Sequence, residues 1–172
     1  MSTRAVIITG PGFQDEEYVY PYYRLLEAGM ALEVATKDKA IVHGKYGVPA
    51  RATMATADLN VNNFDLVVLP GGFEAPDRVR LDTKVLEFVR GMNEAGKIVA
   101  AICHGPWIMV SARILKGRKV TGYMSIAEDL RNAGAEYTDA PLVEDDNFIT
   151  APHYVNNPVF MAAVVRRFQP KI

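Results

Sequence analysis

The fold is decided by the stretch Lys97-Ile98-Val99-Ala100-Ala101-Ile102-Cys103-His104-Gly105-Pro106-Trp107. Its apolar run, without polar alternation, is typical of a parallel strand that is covered on both faces. Gly105 and Pro106 favour a tight turn followed by a helix, because proline pre-sets the helical φ and its missing N–H is not needed in the first turn. The sequence therefore predicts a buried strand, an abrupt turn and a helix, with the single cysteine of the chain, Cys103, at the turn.

The composition predicts one globular domain over residues 1–172, without a strong net charge. Hydrophobic residues make up 49% of the chain, and 19 lysines and arginines stand against 20 acidic residues. A chain of this size can bury a single core, but it has no basic field that would attract nucleic acid or an anionic membrane surface. One cysteine cannot form an internal disulfide, which suits a reducing compartment. We expect neither nucleic-acid nor membrane partners.

The first residues predict no export signal. Met1-Ser2-Thr3-Arg4 leads directly into Ala5-Val6-Ile7-Ile8, without the longer apolar core and the cleavage site of a signal peptide. No segment approaches the roughly 18 consecutive apolar residues of a membrane-spanning helix. We therefore expect a soluble, cytoplasmic protein.

Strand patterns alternate with helical patterns along the chain. Besides the central strand, strands are predicted at 4–9, 31–36, 64–69, 119–121 and 148–150, and a small hairpin within 37–63. Helices are predicted at 18–26, 82–95, 106–115, 126–133 and 158–168. Pro21 requires the first helix to begin near Tyr20 or to kink. This alternation predicts an α/β fold with a mostly parallel sheet, and ligands at the carboxyl ends of its strands.

Three loops fall at that edge of the sheet, at residues 10–17, 71–77 and 103–107. A nucleophile at a sharp strand-to-helix turn is lifted out of the sheet, and the backbone N–H groups that follow it face the position of a developing oxyanion. Cys103 has this placement, and the helix that begins beside it favours thiolate over thiol. We therefore interpret Cys103 as a reactive cysteine, rather than a buried small hydrophobe, with a pKa below that of free cysteine.

Three further residues are candidates for acid–base chemistry, and each also has a plain structural explanation. His104 would be the base for the cysteine, or an oriented polar residue at the rim. Glu17 would stay protonated if it is buried beside the thiol, whereas in solvent it would only complement a helix start. Asp77, which follows Pro76, is by position an ordinary residue of a helix N-terminus. The sequence contains neither an HxxxH nor a CxxC pattern, so we expect no metal and no cofactor.

A series of motifs resembles the DJ-1/PfpI superfamily, and within it the PfpI-like branch of short single-domain proteins. The motifs are Glu17 ahead of Pro21, Leu69-Pro70-Gly71-Gly72, Ala75-Pro76-Asp77-Arg78-Val79-Arg80, Ala101-Ile102-Cys103-His104-Gly105-Pro106, Leu115-Lys116-Gly117-Arg118-Lys119-Val120-Thr121 and Asn132-Ala133-Gly134-Ala135-Glu136-Tyr137. The resemblance implies a flavodoxin-like three-layer sandwich with helices on both faces of the sheet and a nucleophile elbow. It also implies assembly into homodimers or higher homo-oligomers.

The same resemblance implies roles for individual residues. Cys103 would be the nucleophile, and Glu17 the carboxylic acid that hydrogen-bonds to it. His104 would be the histidine of a Cys-His-acid triad, completed by an acidic residue of a neighbouring subunit that maps onto Asp77.

A substrate-binding region is implied as well. Backbone groups of Gly71, Gly72 and His104 would form the oxyanion site, and Tyr123 falls where relatives have a tyrosine near the pocket.

Two stretches depart from the family pattern. The late segment Thr150-Ala151-Pro152-His153-Tyr154-Val155-Asn156-Asn157 lacks the usual arginine and has asparagine in place of an aspartate. We therefore expect the segment around His153 to give the substrate-binding pocket a different polarity. The loop at Phe73-Glu74 is also longer than in relatives, which changes the reach of Asp77.

These residues leave three functions open. The first is a cysteine-dependent, stress-protective enzyme of the glyoxalase III or protein deglycase type, which acts on small reactive carbonyls through a hemithioacetal of Cys103. The second is an intracellular cysteine peptidase of the PfpI type, which needs Cys103, His104 and Asp77 to meet across a subunit contact. The third is a redox sensor or protective protein in which Cys103 is oxidised to a sulfinate that Glu17 stabilises. The expected partner is therefore a small carbonyl compound or a peptide.

Overall fold

The computed structural model describes residues 2–169, and within that range it contains eleven strands and six α-helices. The strands are β1 (Arg4–Ile8), β2 (Ala31–Thr36), β3 (Val42–His43), β4 (Pro49–Ala50), β5 (Met54–Ala55), β6 (Leu66–Leu69), β7 (Ile98–Ile102), β8 (Lys119–Val120), β9 (Glu136–Tyr137), β10 (Val143–Asp145) and β11 (Phe148–Ala151). The helices are α1 (Asp15–Glu27), α2 (Glu74–Val79), α3 (Thr83–Glu94), α4 (Pro106–Ser111), α5 (Ala127–Asn132) and α6 (Asn157–Arg166). None of the helices in this range is long and apolar enough to cross a membrane.

Seven of the strands form one sheet, in the order β10-β11-β7-β6-β1-β2-β5. All neighbours in it pair in parallel except β10 and β11. The predicted, mostly parallel sheet is therefore confirmed. From β1 the chain moves to one side with β2 and returns to the other side with β6. The carboxyl ends of β1 and β6 consequently flank the point where strand order reverses, which is where ligands bind in such sheets.

Helices cover both faces of this sheet, because strand side chains alternate between two apolar clusters. In β1, Ala5 and Ile7 pack with side chains of α1 and α6, whereas Val6 and Ile8 pack with those of α3, α4 and α5. Each large apolar side chain buried in this way contributes about 1.5–3 kcal/mol relative to exposure. The three-layer sandwich is thus confirmed, and its two cores hold the central strands rigidly below the carboxyl edge.

Two predicted helix boundaries are wrong. The first helix begins at Asp15 rather than near Tyr20, because three acidic residues in its first turn complement the positive end of the helix. Pro21 lies inside this helix, so that a kink there is the alternative that stays a prediction. The helix after the elbow ends at Ser111 rather than near residue 115, since Arg113 has a left-handed φ of 59°. The predicted hairpin within 37–63 is confirmed as the antiparallel pair β3 and β4. The short strand β8 lies outside the main sheet and pairs with β9.

Candidate active site

Cys103 follows β7 directly and has a φ of 61°, in the left-handed region that residues other than glycine rarely adopt. Such a conformation costs of order 1–3 kcal/mol and persists only where the surroundings impose it. Here the Cys103 N–H donates to the Ala151 carbonyl at 3.0 Å, and the Cys103 carbonyl accepts from the Tyr123 N–H at 2.9 Å. The predicted sharp turn is therefore present, and its strained backbone is held from both sides.

Two glycines allow the elbow to pack against the neighbouring loop. A Cβ at Gly105 would overlap the backbone carbonyl oxygen of Leu69. At Gly71, a Cβ would lie 2.5 Å from Glu17 Oε2 and 2.6 Å from the Cys103 Cβ. Because real Cβ atoms do not approach other heavy atoms this closely, a side chain at either position would displace the site.

Glu17 is fully buried at the base of the site, with 0% of its surface exposed. Its Oε2 accepts a hydrogen bond from the Gly71 N–H at 2.8 Å, and Oε1 has no hydrogen-bond partner among residues 2–169. Burial raises the pKa of Glu17 to about 8, a rise that the Gly71 hydrogen bond and the nearby Cys103 thiol only partly offset. Glu17 is therefore buried beside the thiol rather than exposed to solvent at a helix start. Its carboxyl group carries its proton at neutral pH.

Burial also raises the pKa of the Cys103 thiol, and a charged Glu17 raises it further, whereas backbone N–H groups of Gly72 and His104 lower it. The predicted pKa below that of free cysteine is therefore wrong. Only 7% of Cys103 is exposed, and the loss of water around the sulfur outweighs the partial charge at the start of the short helix α4. A thiolate forms most readily here while Glu17 keeps its proton, because the two negative charges then never coexist.

The His104 ring lies beside the sulfur and is neutral at pH 7. Its Nδ1 is 3.3 Å from the Cys103 sulfur, and its Nε2 is 3.2 Å from the Ser125 hydroxyl. Burial lowers the pKa of His104, although the Asp129 charge partly opposes this. The ring stacks on Tyr123, with 5.1 Å between the ring centroids. His104 therefore contacts the thiol, and its role as the base for Cys103 stays a prediction.

Asp77 lies on α2, and its side chain is exposed. Within the single chain over residues 2–169, it neither lines the cleft at Cys103 nor hydrogen-bonds to His104. Phe73, rather than Asp77, lines the cleft near His104, and the centroids of the two rings are 6.5 Å apart. The contact of Asp77 with His104 across a subunit interface stays a prediction.

Cys103 opens into a cleft of about 390 Å³ with a largely aromatic wall. The His104 and Tyr123 rings continue into His153, whose centroid is 5.9 Å from that of Tyr123, and then into Tyr154 at 4.0 Å from His153. Among residues 2–169, no three His, Cys, Asp or Glu side chains are grouped in a way that could hold a metal ion. The lining residues are Gly12, Gln14, Glu17, Lys45, Tyr46, Gly72, Phe73, Glu74, Cys103, His104, Tyr123, His153 and Tyr154.

Several residues of this cleft are absent from the sequence-based set, and the loop between β3 and β4 is the main example. Lys45 and Tyr46 reach the cleft because the Lys45 N–H donates to the Phe13 carbonyl at 2.8 Å, while the buried Asp15 carboxylate accepts from the N–H groups of Tyr46 and Val48, each at 2.9 Å. A helix-start carboxylate that instead caps a distant loop leaves no local pattern in the sequence. Tyr154, which also lines the cleft, and Ser125, which contacts His104 from outside it, likewise lack a motif of their own.

The raised pKa of Glu17 predicts that stability falls as pH rises. The carboxyl group has an ordinary value of 4.5 when unfolded and about 8 when folded, so below 4.5 both states are protonated, and above it the unfolded state ionises first. We expect the free energy of unfolding to fall by a few kcal/mol between about pH 5 and pH 8, since one pKa unit corresponds to about 1.4 kcal/mol. Urea titrations at the two pH values measure this loss. Glu17→Gln should lack it, and an equal loss in the variant would contradict the assignment.

Comparison with known proteins decides the family. Residues 3–167 match the model of the DJ-1/PfpI family. The chain belongs to this family. It is 42% identical over 150 residues to "Deglycase PfpI" of Pyrococcus furiosus, covering 87% of this chain and 90% of that protein. The "Putative cysteine protease YraA" of Bacillus subtilis is 38% identical over 152 residues, with coverage of 88% and 89%. The crystal structure of Drosophila melanogaster DJ-1beta superposes with a TM-score of 0.93 at 26% identity, over 99% of this chain and 92% of that one.

Proposed function

We propose that the protein is a cysteine-dependent enzyme of the glyoxalase III or deglycase type, which acts on small reactive carbonyls and on their protein adducts. The observation that carries this proposal is the buried pair of Cys103 and a protonated Glu17 at a cleft of about 390 Å³. A cleft of this size suits a small molecule or one modified side chain. The family relative named as a deglycase in Pyrococcus furiosus supports the same reaction class.

The first step is addition of the thiol to an aldehyde. The sulfur of Cys103 forms a bond to the aldehyde carbon, the carbonyl π bond breaks, and the oxygen takes the proton from Glu17. The thiol proton passes to His104 Nδ1, 3.3 Å from the sulfur, so that the product is a neutral hemithioacetal beside the Glu17 carboxylate. The backbone N–H groups of Gly72 and His104, which point toward the sulfur, stabilise charge that develops beside it.

With methylglyoxal, the second step is an internal proton transfer. The Glu17 carboxylate removes the hydrogen from the carbon bound to sulfur and returns it to the neighbouring carbon, while the hydroxyl proton passes to the neighbouring carbonyl oxygen, which converts the hemithioacetal into a thioester of lactate. Water then hydrolyses the thioester and gives a proton to Glu17, while the thiol regains its proton through His104, so that lactate and the free thiol are released. The balance is one methylglyoxal and one water for one lactate, without an external oxidant or reductant. General acid–base catalysis of this kind contributes about 10²–10⁴-fold.

The proposal is tested by incubating the purified protein with methylglyoxal and measuring lactate. We expect Cys103→Ala to lose at least about 10³-fold of the rate, because no other cysteine can form the adduct. Glu128→Gln, an exposed change away from the cleft, serves as a control that keeps the wild-type rate. A wild-type protein no faster than Cys103→Ala would overturn the proposal.

A second candidate is a cysteine peptidase, favoured by the distance of 3.3 Å between the Cys103 sulfur and His104 Nδ1. In this reaction His104 takes the thiol proton and the sulfur attacks a peptide carbonyl, with Asp77 of a second subunit orienting the ring. The test is hydrolysis of an unstructured peptide by each oligomeric species separated by gel filtration. Hydrolysis absent from every species, or undiminished in Asp77→Ala, would count against this candidate.

A further inference from the structure

The imidazole of His104 bridges the reactive sulfur and a serine near the surface. Nδ1 is 3.3 Å from the Cys103 sulfur, and Nε2 is 3.2 Å from the hydroxyl of Ser125, in the turn Met124–Ile126 after β8. No other residue within 2–169 hydrogen-bonds to either ring nitrogen. Ser125 is exposed, so that its hydroxyl also meets solvent. The two contacts form a continuous polar path from the buried thiol to water.

Aromatic neighbours fix the plane of the His104 ring but not its two flipped orientations. Tyr123 stacks on the ring at an interplanar angle of 27°, and Trp107 meets it edge-on with centroids 5.0 Å apart. Trp107 is itself held, because its indole N–H donates to Asp129 at 2.8 Å. A flip of the imidazole by half a turn would leave these apolar contacts nearly unchanged while pointing ring carbons at the sulfur and at Ser125. A hydrogen-bonding partner at Nε2 is therefore what selects the orientation.

We propose that Ser125 is a positioning residue of this site, whose hydroxyl holds His104 Nδ1 toward Cys103 and passes the histidine proton to solvent. A hydroxyl suits both parts of this role, since it can accept from an Nε2–H or donate to an unprotonated Nε2. When Nδ1 takes the thiol proton, Nε2 gives its own proton to the Ser125 oxygen, which releases its previous proton to water. The ring is then neutral before and after the transfer.

Within one chain, Ser125 thereby occupies the place beside His104 Nε2 where the family resemblance implies an acidic residue of a second subunit. Both nitrogens of His104 are engaged in the single chain, so that an incoming Asp77 could only share Nε2 with Ser125. The inference rests on the proposed function in one respect, namely that Cys103 reacts as a nucleophile.

The test compares Ser125→Ala and Ser125→Thr in two assays, namely alkylation of Cys103 by iodoacetamide and lactate formation from methylglyoxal. We expect Ser125→Ala to slow both by about tenfold, as part of the 10²–10⁴-fold that a positioned base supplies. Ser125→Thr should restore both to within about twofold, because it keeps the hydroxyl. Thr138→Val removes an exposed hydroxyl elsewhere and is the matched control.

A double-mutant cycle shows whether Ser125 acts through His104. In a His104→Gln background, Ser125→Ala should cause no further loss, because the ring that it positions is absent. A full rate in Ser125→Ala, an equal loss in the His104→Gln background, or no recovery with Ser125→Thr would each overturn the inference. Alkylation needs no substrate turnover. A tenfold alkylation effect without lactate from wild type would therefore leave Ser125 assigned and reject only the proposed reaction.

Discussion

Glu17→Gln is expected to lose about 10²–10⁴-fold of turnover with methylglyoxal while its cysteine becomes easier to ionise. Turnover falls because glutamine cannot take and return the proton that moves between the two substrate carbons. The thiol pKa falls because the charged form of Glu17 raises it in the wild type, and the amide carries no charge. The measurement is kcat for lactate formation at neutral pH beside the alkylation rate of Cys103 above pH 8, where Glu17 is charged in the wild type.

The matched control for this variant is Glu16→Gln, the same chemical change at the exposed neighbour. It should leave both rates within about twofold of wild type, since surface charges contribute little at this distance through solvent. If Glu17→Gln keeps full turnover, the carboxyl group is not the proton carrier. If both of its rates fall together, Glu17 supports the position of Cys103 rather than the chemistry.

Gly105→Ala is expected to destabilise the protein by more than about 4 kcal/mol, at the extreme of single substitutions. The added Cβ would overlap the Leu69 carbonyl oxygen, and backbone cannot move aside as a flexible side chain can. Leu69 ends β6 and the elbow follows β7, so relief of the overlap would separate two central strands. The free energy of unfolding in urea measures the effect.

Gly117→Ala is the control for a glycine with space around it. Its φ is 74°, and a Cβ there would have no neighbour within 4 Å, so that only the backbone conformation opposes the change. We expect a cost of about 1 kcal/mol. A similar loss in the free energy of unfolding for Gly105→Ala and Gly117→Ala would show that β6 and β7 are not held at the close distance described above.

The central strand and the turn after it could be predicted because their signals are local. An unbroken apolar run, a glycine and a proline are enough to place β7 and the start of α4. Boundaries that depend on distant contacts could not be predicted in the same way. The first helix starts at Asp15, whose carboxylate caps the loop between β3 and β4. The helix propensities of the residues around Pro21 give no information about this contact between Asp15 and the loop.

The features of the candidate site also divide into those with local sequence signals and those that depend on distant contacts. The family motifs indicate Cys103, Glu17 and His104, and the fold brings these three together at the carboxyl edge. The direction of the Cys103 pKa depends on how deeply the sulfur is buried and on its distance from a carboxyl group. Both follow from packing of β7 against α1 and the Gly71 loop, and neither can be read from the order of residues.

The most direct measurement of the central claim, that Cys103 and Glu17 titrate as a coupled pair, is the pH dependence of Cys103 alkylation in wild type and in Glu17→Gln. In wild type the rate should rise with an inflection near pH 8, where the pair loses its first proton, and rise again at higher pH. Glu17→Gln should show one transition at lower pH than the main rise of wild type, because no carboxylate opposes the thiolate. Superimposable curves, or a shift to higher pH in Glu17→Gln, would contradict the account.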